Sequence, residues 1–227
     1  MRRETTTVIT GVLILVAFGA IMVYSASDGT LLRWHLFCAA LGGVALYIAV
    51  HLDYHRLRDP LLFRFVLISS LGLLVLVLTP GIGLEVDGAR RWISIAGFRF
   101  QPSEYAKFAL ILLLAVKLTD NQQEIKRFWG GFLAPMLATG LFAALVLAER
   151  DLGIPVMMVA VAFVMICIAG ARWRYLIASV APLMGGVFLL IVMAPHRVQR
   201  LAAFISPWEH RDAAGWQLIQ SLSAFAQ

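Results

Sequence analysis

Seven long apolar runs dominate this chain, and they constrain its fold more than any other feature. They extend from Val8 to Tyr24, Trp34 to Val50, Leu61 to Thr79, Tyr105 to Leu118, Gly131 to Ala148, Leu152 to Gly170 and Tyr175 to Ala194. A bilayer core of about 30 Å needs roughly 20 apolar residues per helix. In lipid the backbone must satisfy its own hydrogen bonds, so runs of this length are predicted to be helices. The expected fold class is all-α: a polytopic integral membrane protein of about seven transmembrane helices in a single domain, residues 1–227. The fourth run is short unless it borrows residues from one end. Composition agrees, with 61% hydrophobic and 14% charged residues, where a soluble domain is nearer half apolar and a quarter charged.

The first run has a second reading. Arg2 and Arg3 precede it and Ser25-Ala26-Ser27 follows it, the outline of a secretory signal peptide. Six further spans follow, so an uncleaved first helix is expected. Cys38 and Cys167 both lie inside apolar runs, which predicts small packing residues rather than a disulfide framework. The net charge of +6 is spread without a Lys/Arg-rich block, which argues against nucleic acid and for contact with anionic lipids.

With the N-terminus placed in the cytoplasm, the 19 cations split almost evenly between the two sides. The inner ones, such as Arg56, Arg58, Arg172 and Arg174, are ordinary positive-inside anchors. The outer ones gather at 90–107, at 150 and at 197–211. Positive charge outside works against the insertion rule, so these residues are candidates for a function.

The segment GARRWISIAGFRFQPSEYAKF, from Gly88 to Phe108, holds four of them: Arg90, Arg91, Arg99 and Lys107. Trp92 to Phe100 is predicted to form a short hairpin turning at Ala96-Gly97, its apolar side chains dipping into the interface. Gln101-Pro102-Ser103-Glu104 reads as a helix start, because Pro suits the first turn and an acid favours the positive end of the dipole. Glu104 and Lys107 share a helix face. An ammonium this far into a span must face protein or water and pair with an acid. These cations predict an outward cavity for an anion beside lipid: forked guanidinium donors from Arg90 and Arg91, and a point charge from Lys107.

Several motifs, in one order along the whole chain, resemble the SEDS family (shape, elongation, division and sporulation). Gly88 to Lys107 resembles its signature loop, and Val23 to Ser27 (VYSAS) the end of its first helix. Ala148 to Gly153 (AERDLG) resembles its Gln/Glu-Pro-Asp-Leu-Gly motif, and Pro195 to Gln227 the loop after its seventh helix. Pro207-Trp208-Glu209, the Gly215-Trp216-Gln217 that follows, and Arg127-Phe-Trp-Gly-Gly-Phe are closest to its cell-division branch. Arg150 replaces the motif's Pro, Ile154 a Thr, and His196 and Trp216 each a Tyr.

The resemblance implies a peptidoglycan glycosyltransferase that polymerises lipid II on the outer face of the bacterial cytoplasmic membrane, at the division septum. Its implied partners are a class B penicillin-binding transpeptidase and other divisome membrane proteins. The substrate-binding residues it points to are Arg90, Arg91, Glu104, Lys107, Asp151, Arg197, Arg200 and Gln217. Asp151 is expected to cap the sixth helix or to contact substrate. The family's catalytic aspartate lies in a later loop, beyond Gln227. No residue here matches it, neither Asp151 nor Asp212. The expectation is a chain truncated at its C-terminus and inactive alone as a polymerase, with its catalytic residue unassigned. A lipid II flippase and a non-catalytic divisome scaffold are the competing readings. His51 and His55 have metal-ligand spacing but no third ligand nearby, so no metal and no cofactor is expected. The glycine pairs 42–43, 130–131 and 185–186 are predicted to permit close helix contact, and the six tryptophans to mark membrane surfaces.

Overall fold

The predicted runs are all helical in the computed structural model, which describes residues 3–27, 29, 31–86, 89–95, 98–210 and 215–226. The chain divides into two compact units, Met1–Leu57 and Arg58–Gln227. In the first, α1 (Arg3–Ser27) packs against α2 (Leu32–His51). Helix α1 runs unbroken through the small residues at 25–27.

The second unit carries α3 (Pro60–Leu78), α4 (Pro102–Asp120), α5 (Ala134–Ala148), α6 (Gly153–Ile168) and α7 (Trp173–Val192). Their ends follow local chemistry. Asp59 accepts hydrogen bonds from the Leu61 and Leu62 amides, and Pro60 occupies the first turn of α3. A π-helical stretch, Phe128–Leu133, leads into α5. Helix α6 is shorter than its apolar run because Gly170, at φ 92°, supplies the left-handed residue that stops it. Helix α4 lengthens at both ends to 19 residues, about 29 Å at the usual rise.

Among the described residues, five helices are long and apolar enough to cross a membrane: Thr6–Ser27, Leu32–His51, Pro60–Leu78, Phe128–Ala148 and Trp173–Val192. Helix α6 is apolar but shorter, and α4 carries Glu104, Lys107, Lys117 and Asp120.

The core of the second unit lies between α3, α4, α5 and α6. Leu74, Leu110, Leu114, Phe142, Met158 and Ile166 are fully buried there. Lipid tails are as apolar as these side chains, so close packing rather than water exclusion holds the helices together. Polar groups are satisfied locally: Thr139 donates to the Pro135 carbonyl at 2.9 Å. The hydroxyls of Ser69 and Tyr105 meet at 3.0 Å across the α3–α4 contact. Such a bond adds about 0.6 kcal/mol in a membrane.

The connection from α3 to α4 folds as a three-stranded antiparallel meander of β1 (Gly83–Val86), β2 (Ala89–Ile95) and β3 (Phe98–Phe100). The predicted hairpin is the β2–β3 pair, with Ile95 opposite Phe98. Its turn, Ala96-Gly97, lies outside the described residues. Strand β1 was not predicted. The hairpin also seats differently from the expectation: Ala89 and Ile93 are buried, on a strand that packs against α3 and α4. The sheet covers the helix ends because alternate β2 residues present an apolar face to them.

After α7 come α8 (Pro195–Ile205), a short 3-10 turn (Pro207–His210) and α9 (Trp216–Ala226). Two expectations need correction. The glycine pairs do not mediate helix contact: a Cβ at 42, 43, 185 or 186 would meet nothing within 4 Å. At Gly131 the close neighbour is the Ile125 backbone, where a Cβ would come within 1.8 Å of the carbonyl oxygen. Glycine there admits the preceding loop. Cys38 and Cys167 are free and exposed rather than packed: α2 has no buried residue, and Cys167 lies off the α6 face that buries Met158, Ala162 and Ile166.

Candidate functional site: the sheet-covered end of the bundle

Strand periodicity explains how β2 sorts its two arginines. Residues 89, 91 and 93 share the face that packs on the helices, whereas 90 and 92 share the other. Arg91 therefore reaches inward, where its Nη1 donates to Asp151 Oδ2 at 3.3 Å. Asp151 sits in the turn between α5 and α6, and only 12% of its side chain is exposed. Its other oxygen accepts from the Gly153 amide at 2.9 Å and the Ile154 amide at 3.4 Å. Asp151 thus caps α6, as expected, while also anchoring Arg91.

Arg90, on the other face, stands opposite Glu85 in the β1–β2 register. Its Nε donates to Glu85 Oε2 at 3.2 Å. Lys107 pairs with Glu104 at 2.8 Å one turn back along α4. Its ammonium also approaches Met157 Sδ of α6 at 3.9 Å. The burial of this charge next to an acid follows the expectation for Lys107. Arg197, near the start of α8, folds back so that Nη1 donates to the Leu190 carbonyl at 2.8 Å. The side chains of Arg200 and Gln217, and Asp212 altogether, lie outside the described residues.

The predicted cations thus gather at one end of the second unit without lining a single cavity. A polar cavity of about 290 Å³ is bounded by Leu78, Glu85, Arg90, Ala148, Glu149 and Arg150. Arg91 faces the adjoining Asp151, and Lys107 lies between α4 and α6. An apolar groove of about 540 Å³ runs beside this end between α5, α6 and α7. Leu147 and Leu152, which flank the charged turn, line its wall, and so does Leu190, whose carbonyl holds Arg197. The charged turn and Arg197 therefore adjoin the wall of an apolar groove.

Glu149 is the residue that sequence reasoning missed. It is 1% exposed, and among the described residues neither carboxyl oxygen has a hydrogen-bond partner. Burial, and then the neighbouring Asp151 charge, push its carboxyl up to about 8, against a smaller opposing pull from Arg91. One signal was available: an acid closing an apolar run, followed at once by Arg150 and Asp151. Arg150 itself adopts a left-handed backbone, φ 63°. The proline of the resembled motif, locked near −65°, has no access to that conformation, so this turn is local to the present sequence. Among the described residues no cluster of three or more potential metal ligands occurs.

A profile of the cell cycle protein family of FtsW, RodA and SpoVE matches residues 5–227. The chain belongs to this family. Its relatives include the probable peptidoglycan glycosyltransferase FtsW of Geobacter sp. strain M18. That protein is 39% identical over 218 residues, covering 92% of this chain and 59% of the relative. Stage V sporulation protein E of Bacillus subtilis is 34% identical, covering 93% of this chain and 60% of its own length. The chain thus spans about three fifths of the relatives it matches. Among solved structures, Thermus thermophilus RodA superposes with a TM-score of 0.67 at 32% identity, over 79% of this chain and 57% of that one. A chain from a peptidoglycan synthase complex coordinating polymerization and crosslinking matches with a TM-score of 0.75 at 31% identity, covering 92% and 61%. The SEDS resemblance, its cell-division leaning and the helical polytopic fold all stand on these matches.

Proposed function

We propose that this chain takes part in peptidoglycan glycosyl transfer, holding lipid II at the sheet-covered end of the bundle on the outer face of the cytoplasmic membrane. The observation that carries the reading is the junction of charge and grease: Arg197 is held by the carbonyl of Leu190, a wall residue of the apolar groove, and Leu147 and Leu152 of the same wall flank the turn whose Asp151 holds Arg91. A polyprenyl pyrophosphate has the complementary form, an apolar chain ending in a strong anion. FtsW relatives bearing the name peptidoglycan glycosyltransferase supply the reaction class.

In such a transfer the acceptor sugar hydroxyl loses its proton and attacks the anomeric carbon, and the pyrophosphate leaves with the bonding electrons. Fixed cations stabilise the charge that develops on the leaving group. Arg91 suits this role because its guanidinium is already oriented by Asp151 and keeps donors in reserve. A class B penicillin-binding transpeptidase is the partner in this reading. The structural match to a chain of a polymerizing and crosslinking complex supports it.

Competition separates a pyrophosphate site from a merely greasy one. Labelled lipid II bound to the detergent-purified chain is expected to be displaced by undecaprenyl pyrophosphate and far less by undecaprenol. Equal displacement by the two would reject the assignment.

A further inference from the structure

Asp151 holds Arg91 and stands two residues from Glu149, and two buried groups here lack hydrogen-bond partners among the described residues: the Nε donor of Arg91 and the carboxyl oxygens of Glu149. A buried donor and a buried acceptor left unpaired are each costly, and each is an opening for the other. Arg91 uses only Nη1 on Asp151, so its guanidinium can turn its remaining donors elsewhere without leaving the turn. Arg150, in its left-handed conformation, sets Glu149 and Asp151 on either side of this reverse turn. Both the Arg91 and the Asp151 charges act on Glu149.

We propose that Glu149 is a positioning residue for Arg91: protonated, it leaves the guanidinium on Asp151 and free to meet an anion; ionised, it draws Arg91 into a two-carboxylate clamp and away from substrate. This rests on the lipid II reading above. The other charges around Glu149 do not duplicate the device. Glu85 of β1 and Arg90 of β2 line the same cavity but pair with each other. Arg150 is exposed on the turn. The end of α3 contributes the apolar Leu78, and on α4 Glu104 and Lys107 are joined. Among the described residues of these elements, Arg91 is the cation with a buried, unused donor; the Ser103 hydroxyl of α4 is also buried without a partner but carries no charge.

The switch acts near neutrality. Burial pushes the Glu149 carboxyl up to about 8, so ionisation and capture of Arg91 grow as the pH rises through that value. Substrate affinity then falls with pH rather than rising.

Lipid II binding to the full chain, measured from pH 6 to pH 9.5 for wild type and Glu149→Gln, tests this. The wild-type affinity should fall about tenfold across the range, and the Glu149→Gln curve should be flat. Matching slopes in the two proteins overturn the proposal. A titrating carboxylic-acid C=O band in the infrared, present in wild type and missing from Glu149→Gln, reads the proton without lipid. Absence of that band overturns the proposal directly. If the band titrates but lipid II binds at no pH, the functional reading fails and the role toward substrate fails with it.

Discussion

Arg91, Asp151 and Glu149 show how much one strand's alternation and one turn can set. Arg91 is inward because it shares a strand face with Ala89 and Ile93, and Asp151 is fixed because it also caps α6. Glu149 is sealed beside them with its carboxyl pushed up to about 8. An acid with a raised folded-state value binds a proton that the unfolded chain has released. Its contribution to stability is therefore fully present below the unfolded value of about 4.5, and is lost as pH rises towards 8. Across that window the slope is about 1.4 kcal/mol per pH unit for one proton. Melting temperature in detergent should fall with pH between 5 and 8 for wild type, with a shallower fall in Glu149→Gln; parallel curves would assign the slope to other groups. Lys107 and Arg91 were legible in the sequence, because cations beside apolar runs demand an explanation. Glu149 was not, because its burial comes from a sheet that closes over it from 60 residues away in the chain.

At the scale of elements, the helices were readable and the sheet only in part. Apolar length fixes a helix in lipid whatever its neighbours do. Strand β1 has four residues and no strong pattern of its own. It exists because β2 offers it a partner and because Gly83 fits against the end of α3. A Cβ at Gly83 would lie 2.0 Å from the Val77 carbonyl oxygen, a backbone atom that cannot step aside. Gly83→Ala should push β1 off α3 and destabilise the protein by roughly 1–3 kcal/mol, as overpacking does. Because Glu85 then loses its register with Arg90, the cavity should open too. A thermal melt of the variant checks this, and an unchanged midpoint would mean that the sheet is not seated on α3 as described. The start of α4 was legible in Gln101-Pro102-Ser103-Glu104, whereas α6 stops short of its apolar run at Gly170.

For the whole molecule, family membership was legible because several motifs recur in one order from residue 5 to 227. The apolar groove was not, since it needs three helices side by side, among them α7 with Pro182 inside it. Nor did the sequence show that its outer cations would be divided among separate acids instead of sharing one cavity. That division matters to the account. Arg90, Arg91, Lys107 and Arg197 are each held by a carboxylate or a carbonyl, so each is placed before substrate arrives, and little ordering of these four remains to be done on binding. The most direct test is the affinity of lipid II for the purified wild-type chain compared with Arg91→Ala and Lys107→Ala, with membrane insertion and helical content checked alongside. A charged hydrogen bond contributes about 1.5–3 kcal/mol, so each variant should bind roughly ten- to a hundredfold more weakly while inserting normally. Unchanged affinity in both would contradict the claim that these cations hold the lipid-linked anion.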